Sequence, residues 1–523
     1  MKKALIVGLD GGTFRAIKKY SDQGLLPTFK HILEKGSHGI LKSTIPFLTV
    51  PAWPSFYTGV NPGKHGIFHF LSTHKFNIED RKIHTFSDVK VKSLWKILSE
   101  NGKRCLVWNV PMTYPPESIN GKLVGGLLSL STQRYAEPLS FEQELRKQNY
   151  VIDSMELNLR HKGGEERFDA MVSVDKARYE IWKKYYTSEK WDFSMIVFRC
   201  SDICGHDFWH EEDKVIRTYK TLDDLMGKIL KLMDNETGLF VMSDHGFNDY
   251  DQTFNIMAWL NQNGYMQYKK SEINDVVAKG WRQVHEKQGN TSLLRRFFHL
   301  IKFDRQKLFK NKFIDKFRNI VPRSIKNIIR ENIPQSTKTI DWKNTTAYAQ
   351  LGAKSTWGVN INLIGRENNG TVSKEEYKKL RSEIIEKLKL VTDPNGDKVF
   401  TEVMSCEEQY HGNYVAEAPD IIFKVNGEKR LAVARFDDKL FVETTSHTNS
   451  YHDQDGIFMS LGPNILAGKE IKPISILDIT PTVLNYMGLQ VPEYMDGKPA
   501  SEIYKDFVNI PVNVVKNVMT NSL

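Results

Sequence analysis

Short apolar runs that alternate with amphipathic segments constrain this 523-residue chain more than any other feature. Five runs are typical of buried strands: ALIVGL, CLVWNV, FSMIVF, GLFVM and GIFMSL. Apolar residues at helical spacing predict helices in LLPTFKHILEKG and VKSLWKILSENG, and over 169–188, 213–234 and 475–487. Strands that alternate with helices are typical of α/β folds, so the sequence predicts a mainly parallel central sheet.

Residues that can bind a metal stand beside four of these predicted strands. In open parallel sheets, ligands bind beyond the carboxyl ends of the strands. A single aspartate after a strand is usually a cap or a turn residue. Several together supply the oxygen and nitrogen ligands that zinc or manganese accepts, and a site for two ions needs about six protein groups. The residues in these positions are Asp10, Asp202, His206, Asp244, His245 and His452.

The stretch LTVPAWPSFYTGVNPGKHGIF, residues 48–68, combines three prolines and three glycines with apolar and aromatic residues. AWPSFYTG predicts a short helix, and NPGKHG predicts the turn that leaves it. The hydroxyl of Thr49 would then lie near the free N–H groups of a helix N-terminus, where a phosphate or an oxyanion binds well. Thr49 could also be a simple N-cap. The residues alone leave both interpretations open.

The net charge of +10 is concentrated in one segment. Residues 269–339 contain 18 lysines and arginines but only 6 aspartates and glutamates, which accounts for the whole positive balance. The cations alternate with Phe, Ile and Leu at helical spacing, so this segment is predicted to contact an anionic membrane surface or a polyanion. A solvated helical insertion is the alternative. Specific recognition of nucleic acid is not predicted.

No stretch of the sequence has the roughly 18 apolar residues that a membrane-spanning helix requires. The apolar run before Asp10 is too short for the core of a signal peptide. The four cysteines (Cys105, Cys200, Cys204 and Cys406) have neither metal-type nor redox-type spacing. We therefore expect a cytoplasmic protein that can be peripheral at the membrane.

The motifs LIVGLDGG, TVPAW, DICGHD, SDHGF and HDQDGIF, taken in this order, resemble the alkaline phosphatase superfamily, specifically its type I phosphodiesterase and nucleotide pyrophosphatase family. The resemblance rests on residues 4–70, 191–250 and 340–490. It implies a three-layer, alkaline phosphatase-like α/β core with inserted cap segments. The implied divisions are a catalytic core at 1–264 and 340–500, a cap insertion at about 71–165, a basic helical insertion at 265–339 and a C-terminal tail at 501–523.

The resemblance also implies roles for the residues named above. One divalent ion would be held by Asp10, Thr49, Asp244 and His245, and a second by Asp202, His206 and His452. The ions would be zinc, with manganese as the alternative. Thr49 would be the nucleophile of a metal-dependent phosphate ester hydrolase. His447 is the rival for the last ligand position, and His452 is favoured because it stands just before a Gly-hydrophobic strand.

The sequence departs from the family pattern after the His-Gly pair, where nucleotide pyrophosphatases carry an Asn and this chain has His69 and Phe70. Asn109 could replace that Asn in substrate binding, or it could be a buried Asn that pairs with loop backbone. Other functions also remain open. These are a phosphomonoesterase, a phosphoglycerate mutase-like phosphotransferase, against which Thr49 counts because those enzymes use Ser, and a non-enzymatic membrane- or polyanion-binding module with a degenerate core.

Overall fold

The structure is a computed structural model. It describes residues 2–71, 83–132, 134–154, 157, 163–270, 338–349, 355–425, 430–444 and 450–508. Most of the predicted basic insertion and of the predicted C-terminal tail lies outside these residues. The two ends of the insertion are described, and they pair as antiparallel strands. The insertion therefore leaves and rejoins the described chain at one place.

The strands of the described residues fall into one large central sheet and several small sheets. In chain order they are β1 (Lys3–Leu9), β2 (Ser37–Lys42), β3 (Cys105–Val110), β4 (Gly121–Gly125), β5 (Ala136–Glu137), β6 (Phe193–Phe198), β7 (Thr237–Met242), β8 (Gly246–Asp249), β9 (Gln252–Asn255), β10 (Tyr268–Lys270), β11 (Lys338–Ile340), β12 (Ala347–Ala349), β13 (Gly358–Ile361), β14 (Phe400–Ser405), β15 (Ile421–Val425), β16 (Arg430–Val433), β17 (Phe441–Glu443), β18 (Ser450–Asp453), β19 (Asp455–Leu461), β20 (Lys469–Glu470) and β21 (Ile474–Ser475).

The central sheet has the order β20-β2-β19-β7-β1-β6-β3-β4-β5. Strand β1 pairs in parallel with both β6 and β7, and β3 pairs in parallel with β6 and β4. Strand β19 is antiparallel to β7 and β2, and β5 is antiparallel to β4. The predicted mainly parallel central sheet is therefore confirmed.

The α-helices of the described residues flank this sheet or belong to a second lobe. They are α1 (Phe14–Asp22), α2 (Pro27–Lys35), α3 (Thr49–Thr58), α4 (Pro62–His65), α5 (Leu94–Glu100), α6 (Leu139–Lys147), α7 (Gly164–Ser188), α8 (Cys200–Phe208), α9 (Glu212–Leu232), α10 (Ile256–Gln262), α11 (Lys374–Lys389), α12 (Cys406–Gln409) and α13 (Ile479–Tyr486). None of the described helices is both long enough and apolar enough to cross a membrane.

Two apolar cores lie on opposite faces of the central sheet. Alternate residues of β1 point to opposite faces, so Val7 packs with helices α1, α2, α7, α8 and α9, whereas Ile6 packs with α3, α5 and α13. This arrangement gives the three layers that the family resemblance implied. The stretch predicted as a cap insertion, at about 71–165, contributes strands β3, β4 and β5 to the central sheet.

A second, smaller lobe is inserted between β9 and β18. Its four-stranded sheet, in the order β12-β13-β15-β14, packs against helices α10 and α11 around a separate apolar core. This lobe contacts the segment before α3, where the ring centroids of Phe47 and Trp357 lie 4.0 Å apart. The lobe therefore packs against the segment that leads into Thr49.

Helix α3 lies directly on β1 because Gly8 has no side chain. A Cβ atom at Gly8 would come within 2.7 Å of the Trp53 ring and 2.9 Å of the Val197 side chain. Trp53 is fully buried, as are the residues on either side of it. The close approach fixes α3 across the sheet, and so it determines where Thr49, the first residue of that helix, can lie.

We expect the substitution Gly8→Ala to reduce the free energy of unfolding by about 1–3 kcal/mol, because the added methyl group overpacks the contact with Trp53. Chemical denaturation measures this change. The matched control is Gly164→Ala at the start of α7, where a Cβ would meet only Lys214 Nζ at 3.5 Å. The control should be neutral or slightly stabilising. Equal stability of the two variants would contradict this account of how α3 is placed.

Candidate metal centre

The parallel strands β1, β6 and β7 end at the same edge of the central sheet. Leu9 is in register with Phe198, and Gly8 is in register with Met242. The backbone N–H of Asp10 continues the ladder by donating to the carbonyl of Phe198 at 3.0 Å. The residues that follow these three strands are therefore neighbours in space, although they are far apart in the sequence.

The first cluster consists of Asp10, Thr49, Asp244 and His245. His245 Nε2 lies 3.3 Å from Thr49 Oγ1, 3.3 Å from Asp244 Oδ2 and 3.9 Å from Asp10 Oδ1. Asp10, Asp244 and His245 are fully buried, and Thr49 is nearly so. Three oxygen atoms thus lie within 3.9 Å of one imidazole nitrogen, close enough for all four atoms to bind one cation.

The second cluster consists of Asp202, His206 and His452. Helix α8 presents Asp202 and His206 one turn apart on one face, since they are four residues apart in the sequence. His452 comes from β18, which pairs with β8 so that His452 lies opposite Phe247. Asp202 Oδ1 is 3.4 Å from His206 Nε2 and 3.5 Å from His452 Nε2.

The two histidines held by backbone carbonyls have defined tautomers. His245 Nδ1 lies 3.0 Å from the carbonyl of Gly246, and His452 Nδ1 lies 3.2 Å from the carbonyl of Phe47. A carbonyl oxygen can only accept, so each Nδ1 carries the proton and each Nε2 presents a lone pair. His206 Nε2 lies 2.9 Å from His452 Nε2. A cation between these nitrogens and the carboxylates satisfies all of these groups at once.

Three buried carboxylate oxygens complete this arrangement. Asp10 Oδ1, Asp202 Oδ1 and Asp244 Oδ2 have no hydrogen-bond donor in the structure. Buried polar atoms normally have a partner, and a group of three that face imidazole nitrogens is characteristic of metal ligands. The carboxylate and imidazole ligand atoms of each cluster lie within 4.8 Å of one another. The residues present therefore fit divalent ions bound through oxygen and nitrogen.

The two clusters are in direct contact. The rings of His245 and His452 are stacked with their centroids 3.6 Å apart. The structure thus brings together all seven residues that the sequence analysis assigned to the two ion sites. Their roles as ligands stay a prediction. The rival residue His447 lies outside the described residues.

Arg199 is a member of the site that the sequence analysis missed. It follows β6 directly, it is 3% exposed, and its guanidinium contacts one carboxylate of each cluster. Arg199 Nε donates to Asp10 Oδ2 at 3.0 Å, and Arg199 Nη2 donates to Asp202 Oδ2 at 2.9 Å. Arg199 Nη1 donates to Asp153 Oδ2 at 2.5 Å. A cation placed immediately after a buried strand was the sequence signal that could have revealed it.

The proximity of these groups shifts their pKa values in opposite directions. Burial raises the pKa of Asp10 well above its usual range, the charges of Asp244 and Asp202 raise it further, and Arg199 opposes them. Burial likewise raises the pKa of Asp244. Burial alone would also raise the pKa of Asp202, but His206, His452 and Arg199 together hold it well below its usual range. Burial and the charge of His245 hold the pKa of His452 well below its usual value.

Asn109 lies at the end of β3, and the structure gives its side chain structural contacts. With the amide oxygen and nitrogen of Asn109 exchanged, which satisfies both atoms, the amide donates to the carbonyl of Ile152 at 2.9 Å and accepts from Arg178 Nη2 at 3.1 Å. Asn109 is fully buried and has a positive φ of 62°. These contacts match the interpretation of Asn109 as a buried residue that holds loop backbone. Its predicted role in substrate binding stays untested.

Comparison with known proteins gives a family match. Residues 4–310 match the sequence model of a protein family that is described as type I phosphodiesterase / nucleotide pyrophosphatase. This range contains every residue of the two clusters except His452. No curated protein matches the chain.

Two solved structures are similar to the chain over almost its whole length. Murine ectonucleotide pyrophosphatase / phosphodiesterase 5 has 11% sequence identity and a TM-score of 0.49, and the match covers 94% of this chain and 96% of that chain. The human protein of the same name has 13% sequence identity and a TM-score of 0.49, and the match covers 95% of this chain and 97% of that chain.

We expect Asp244→Asn to raise the melting temperature of the metal-free protein by a few degrees near neutral pH. Because the pKa of Asp244 is raised in the folded state, the ionised carboxylate opposes folding, and this cost grows as the pH rises above the pKa of the unfolded chain. The neutral amide avoids the cost and can still accept from the Gly11 N–H, which lies 3.2 Å from Asp244 Oδ1. Thermal unfolding in the presence of a chelator measures the difference.

If Asp244 is a metal ligand, the same variant should also lose most of the stabilisation that Zn²⁺ would give at the first cluster. In the unmodified protein, a free Zn²⁺ concentration 100 times the Kd adds about 2.7 kcal/mol per site. Asp22→Asn, at an exposed aspartate, is the matched control. It should change the melting temperature neither of the metal-free protein nor of the protein with added Zn²⁺. A metal-free Asp244→Asn protein that melts below the unmodified protein would contradict the assignment of Asp244 as an electrostatically strained carboxylate.

Proposed function

The chain belongs to the type I phosphodiesterase / nucleotide pyrophosphatase family and is a phosphoric ester hydrolase of that type, and we propose that it acts through Thr49 as nucleophile together with two divalent ions. One observation carries this proposal. Three buried carboxylate oxygens without donors converge on imidazole Nε2 atoms in two adjoining clusters, and Thr49 Oγ1 lies 3.3 Å from one of those atoms.

Each cluster would hold one ion through its own residues. Asp10, Asp244 and His245, with Thr49, form the first set, and the second cluster supplies the other set. Both sets offer oxygen and nitrogen donors without a thiolate, which suits zinc and also manganese. Bound divalent ions would stabilise negative charge on the phosphoryl oxygens and lower the pKa of an adjacent hydroxyl.

Thr49 is well placed to be the nucleophile. It is the first residue of α3, where the N–H groups of Thr49 and Val50 have no acceptor within the helix. A phosphoryl oxygen can accept from these N–H groups and gains from the positive end of the helix dipole. The contact of Trp53 with Gly8 fixes the helix, so Thr49 Oγ1 stays beside His245.

The reaction proceeds in two displacements at phosphorus. Thr49 Oγ1 loses its proton to solvent and forms a bond to phosphorus, while the bond from phosphorus to the ester oxygen breaks and the leaving alcohol takes up a proton. Water then attacks the phosphothreonine, which breaks the Oγ1–phosphorus bond and restores the threonine hydroxyl. A diester substrate yields an alcohol and a phosphate monoester. The buried, fixed carboxylates and imidazoles hold their positions throughout, so little reorganisation opposes the reaction.

The family makes phosphate esters and nucleotides the substrate class. A phosphodiester is the substrate that we propose, and a monoester is the alternative. Rates on matched aryl phosphate diester and monoester substrates separate these two alternatives. Absence of turnover on both, in protein that carries its ions, would contradict the mechanism that we propose.

We also propose a cytoplasmic location with peripheral contact to an anionic surface. The cytoplasmic location rests on the spacing of the four cysteines, and the surface contact rests on the basic segment at 265–339, where cations alternate with apolar residues. That segment lies largely outside the described residues, so only the sequence supports it.

Thr49→Ala should lower turnover of an activated diester by several orders of magnitude, because no other group replaces the nucleophile. It should retain most of its metal, since Asp10, Asp244 and His245 remain. Thr49→Ser should keep measurable activity. Steady-state rates are normalised to folded, metal-loaded protein.

The matched control for this test is Thr58→Ala, the same change at the other end of α3. Thr58 Oγ1 donates to the carbonyl of Pro54 at 2.5 Å and belongs to neither cluster. Its loss should cost about 0.5–1.5 kcal/mol of stability and leave turnover per folded molecule unchanged. If Thr49→Ala turned over the diester at the normal rate, the covalent mechanism would be excluded.

Asp202→Ala and His452→Ala should each reduce the bound metal from two ions per chain to one and leave the fold intact. Each removes a ligand from the second cluster alone. Elemental mass spectrometry after dialysis counts the ions. His411→Ala is the control, because this exposed histidine pairs with Asp496 and belongs to neither cluster. Retention of both ions by His452→Ala would show that His452 is not a ligand.

A further inference from the structure

The guanidinium of Arg199 lies between the two clusters and contacts both. Its Nε and Nη2 atoms donate to Oδ2 of Asp10 and Oδ2 of Asp202, which belong to different clusters. Its Nη1 donates to Asp153, which belongs to neither. We propose that Arg199 is a shared positioning residue that orients one carboxylate of each cluster, so that both ions depend on it. This inference rests on the two-ion centre proposed above and goes beyond it.

The contacts select which oxygen of each carboxylate faces the imidazoles. Arg199 binds Oδ2 of Asp10 and Oδ2 of Asp202, and in both residues Oδ1 is the atom without a donor. Asp202 Oδ1 faces the Nε2 atoms of His206 and His452, and Asp10 Oδ1 faces that of His245. One side chain therefore fixes one carboxylate oxygen in each cluster.

Arg199 is itself held rigidly. Asp175 Oδ2 on helix α7 accepts from the backbone N–H of Arg199 at 2.8 Å and from that of Cys200 at 2.7 Å. The other oxygen of Asp175 pairs with Arg178. All of these groups are buried, so the guanidinium has little freedom to reorient. This rigidity is what a positioning residue requires.

The positive charge of Arg199 also stabilises the buried carboxylates around it. Asp10, Asp153 and Asp202 contact it directly, so it offsets repulsion among carboxylates that are all buried. A guanidinium keeps its charge at every accessible pH and can bond in three directions in one plane. A lysine would keep the charge but could not span the two clusters in the same way. The shape of the group is therefore as important as its charge.

The test is the affinity for each of the two Zn²⁺ ions, measured by competition with a chromophoric chelator on the full-length protein. Arg199→Lys should lower the affinity for both ions by about 10- to 100-fold, the usual effect of losing a residue that orients metal ligands. His452→Ala should lower the affinity only for the ion of its own cluster. Arg366→Lys is the matched control, because Arg366 makes a comparable two-point contact with Asp420 in the second lobe.

The control should lose stability without any change in affinity for Zn²⁺. If Arg199→Lys does not fold, Asp153→Leu supplies the test, since it removes the third support of the guanidinium without touching either cluster. Asp153→Leu should also lower the affinity for both ions, by a smaller factor than Arg199→Lys. Unchanged affinity for both ions, or loss confined to one cluster, in whichever of the two variants folds, would overturn the proposal.

These outcomes differ from a failure of the proposed function. If the unmodified protein bound no divalent ion, the two-ion centre would fail before any variant was compared. If it bound two ions and hydrolysed esters while Arg199→Lys bound both normally, only the role of Arg199 would be wrong. Because the readout is ion affinity per folded molecule, a merely structural role for Arg199 would not produce the expected result.

Discussion

Mutual repulsion among buried carboxylates at one edge of the central sheet is the constraint on which the site depends. Asp10, Asp202 and Asp244 lie out of water and close together, and a buried carboxylate without a counter-charge is costly. Arg199 compensates two of them, and the oxygens that remain without donors turn toward imidazole nitrogens. This arrangement suits divalent cations, and the ions that we propose would relieve the repulsion among these carboxylates.

The fold supplies this geometry through two simple devices. Parallel pairing of β1 with β6 and β7 brings three strand ends to the same edge, so residues from distant parts of the chain become neighbours. The missing side chain at Gly8 allows Trp53 to rest on β1, which fixes helix α3 and hence Thr49 beside that edge. The second lobe adds support, because Trp357 packs against Phe47, whose carbonyl holds the ring of His452.

Much of the core architecture could be predicted from the sequence, but part of the site could not. The five apolar runs are strands of the central sheet, and the predicted helices coincide with α2, α5, α7, α9 and α13 within a few residues. The stretch predicted as a cap insertion also supplies three strands to the sheet, and one of them, the predicted strand Cys105–Val110, is fully buried beside β6. Arg199 left a signal, a cation directly after a strand, whereas Asp153 lies in a loop with no periodicity to mark it.

The sequence by itself determined the strands, the helices and the types of residue that stand at the strand ends, because apolar periodicity and helix signals are local properties of the chain. It could not determine which oxygen of Asp10 faces the imidazoles or that one guanidinium joins the two clusters. Asp10 and Arg199 are 189 residues apart, and His206 and His452 are 246 apart. Contacts at such separations follow from strand register and from the packing of helices on the sheet, so only the tertiary structure decides them.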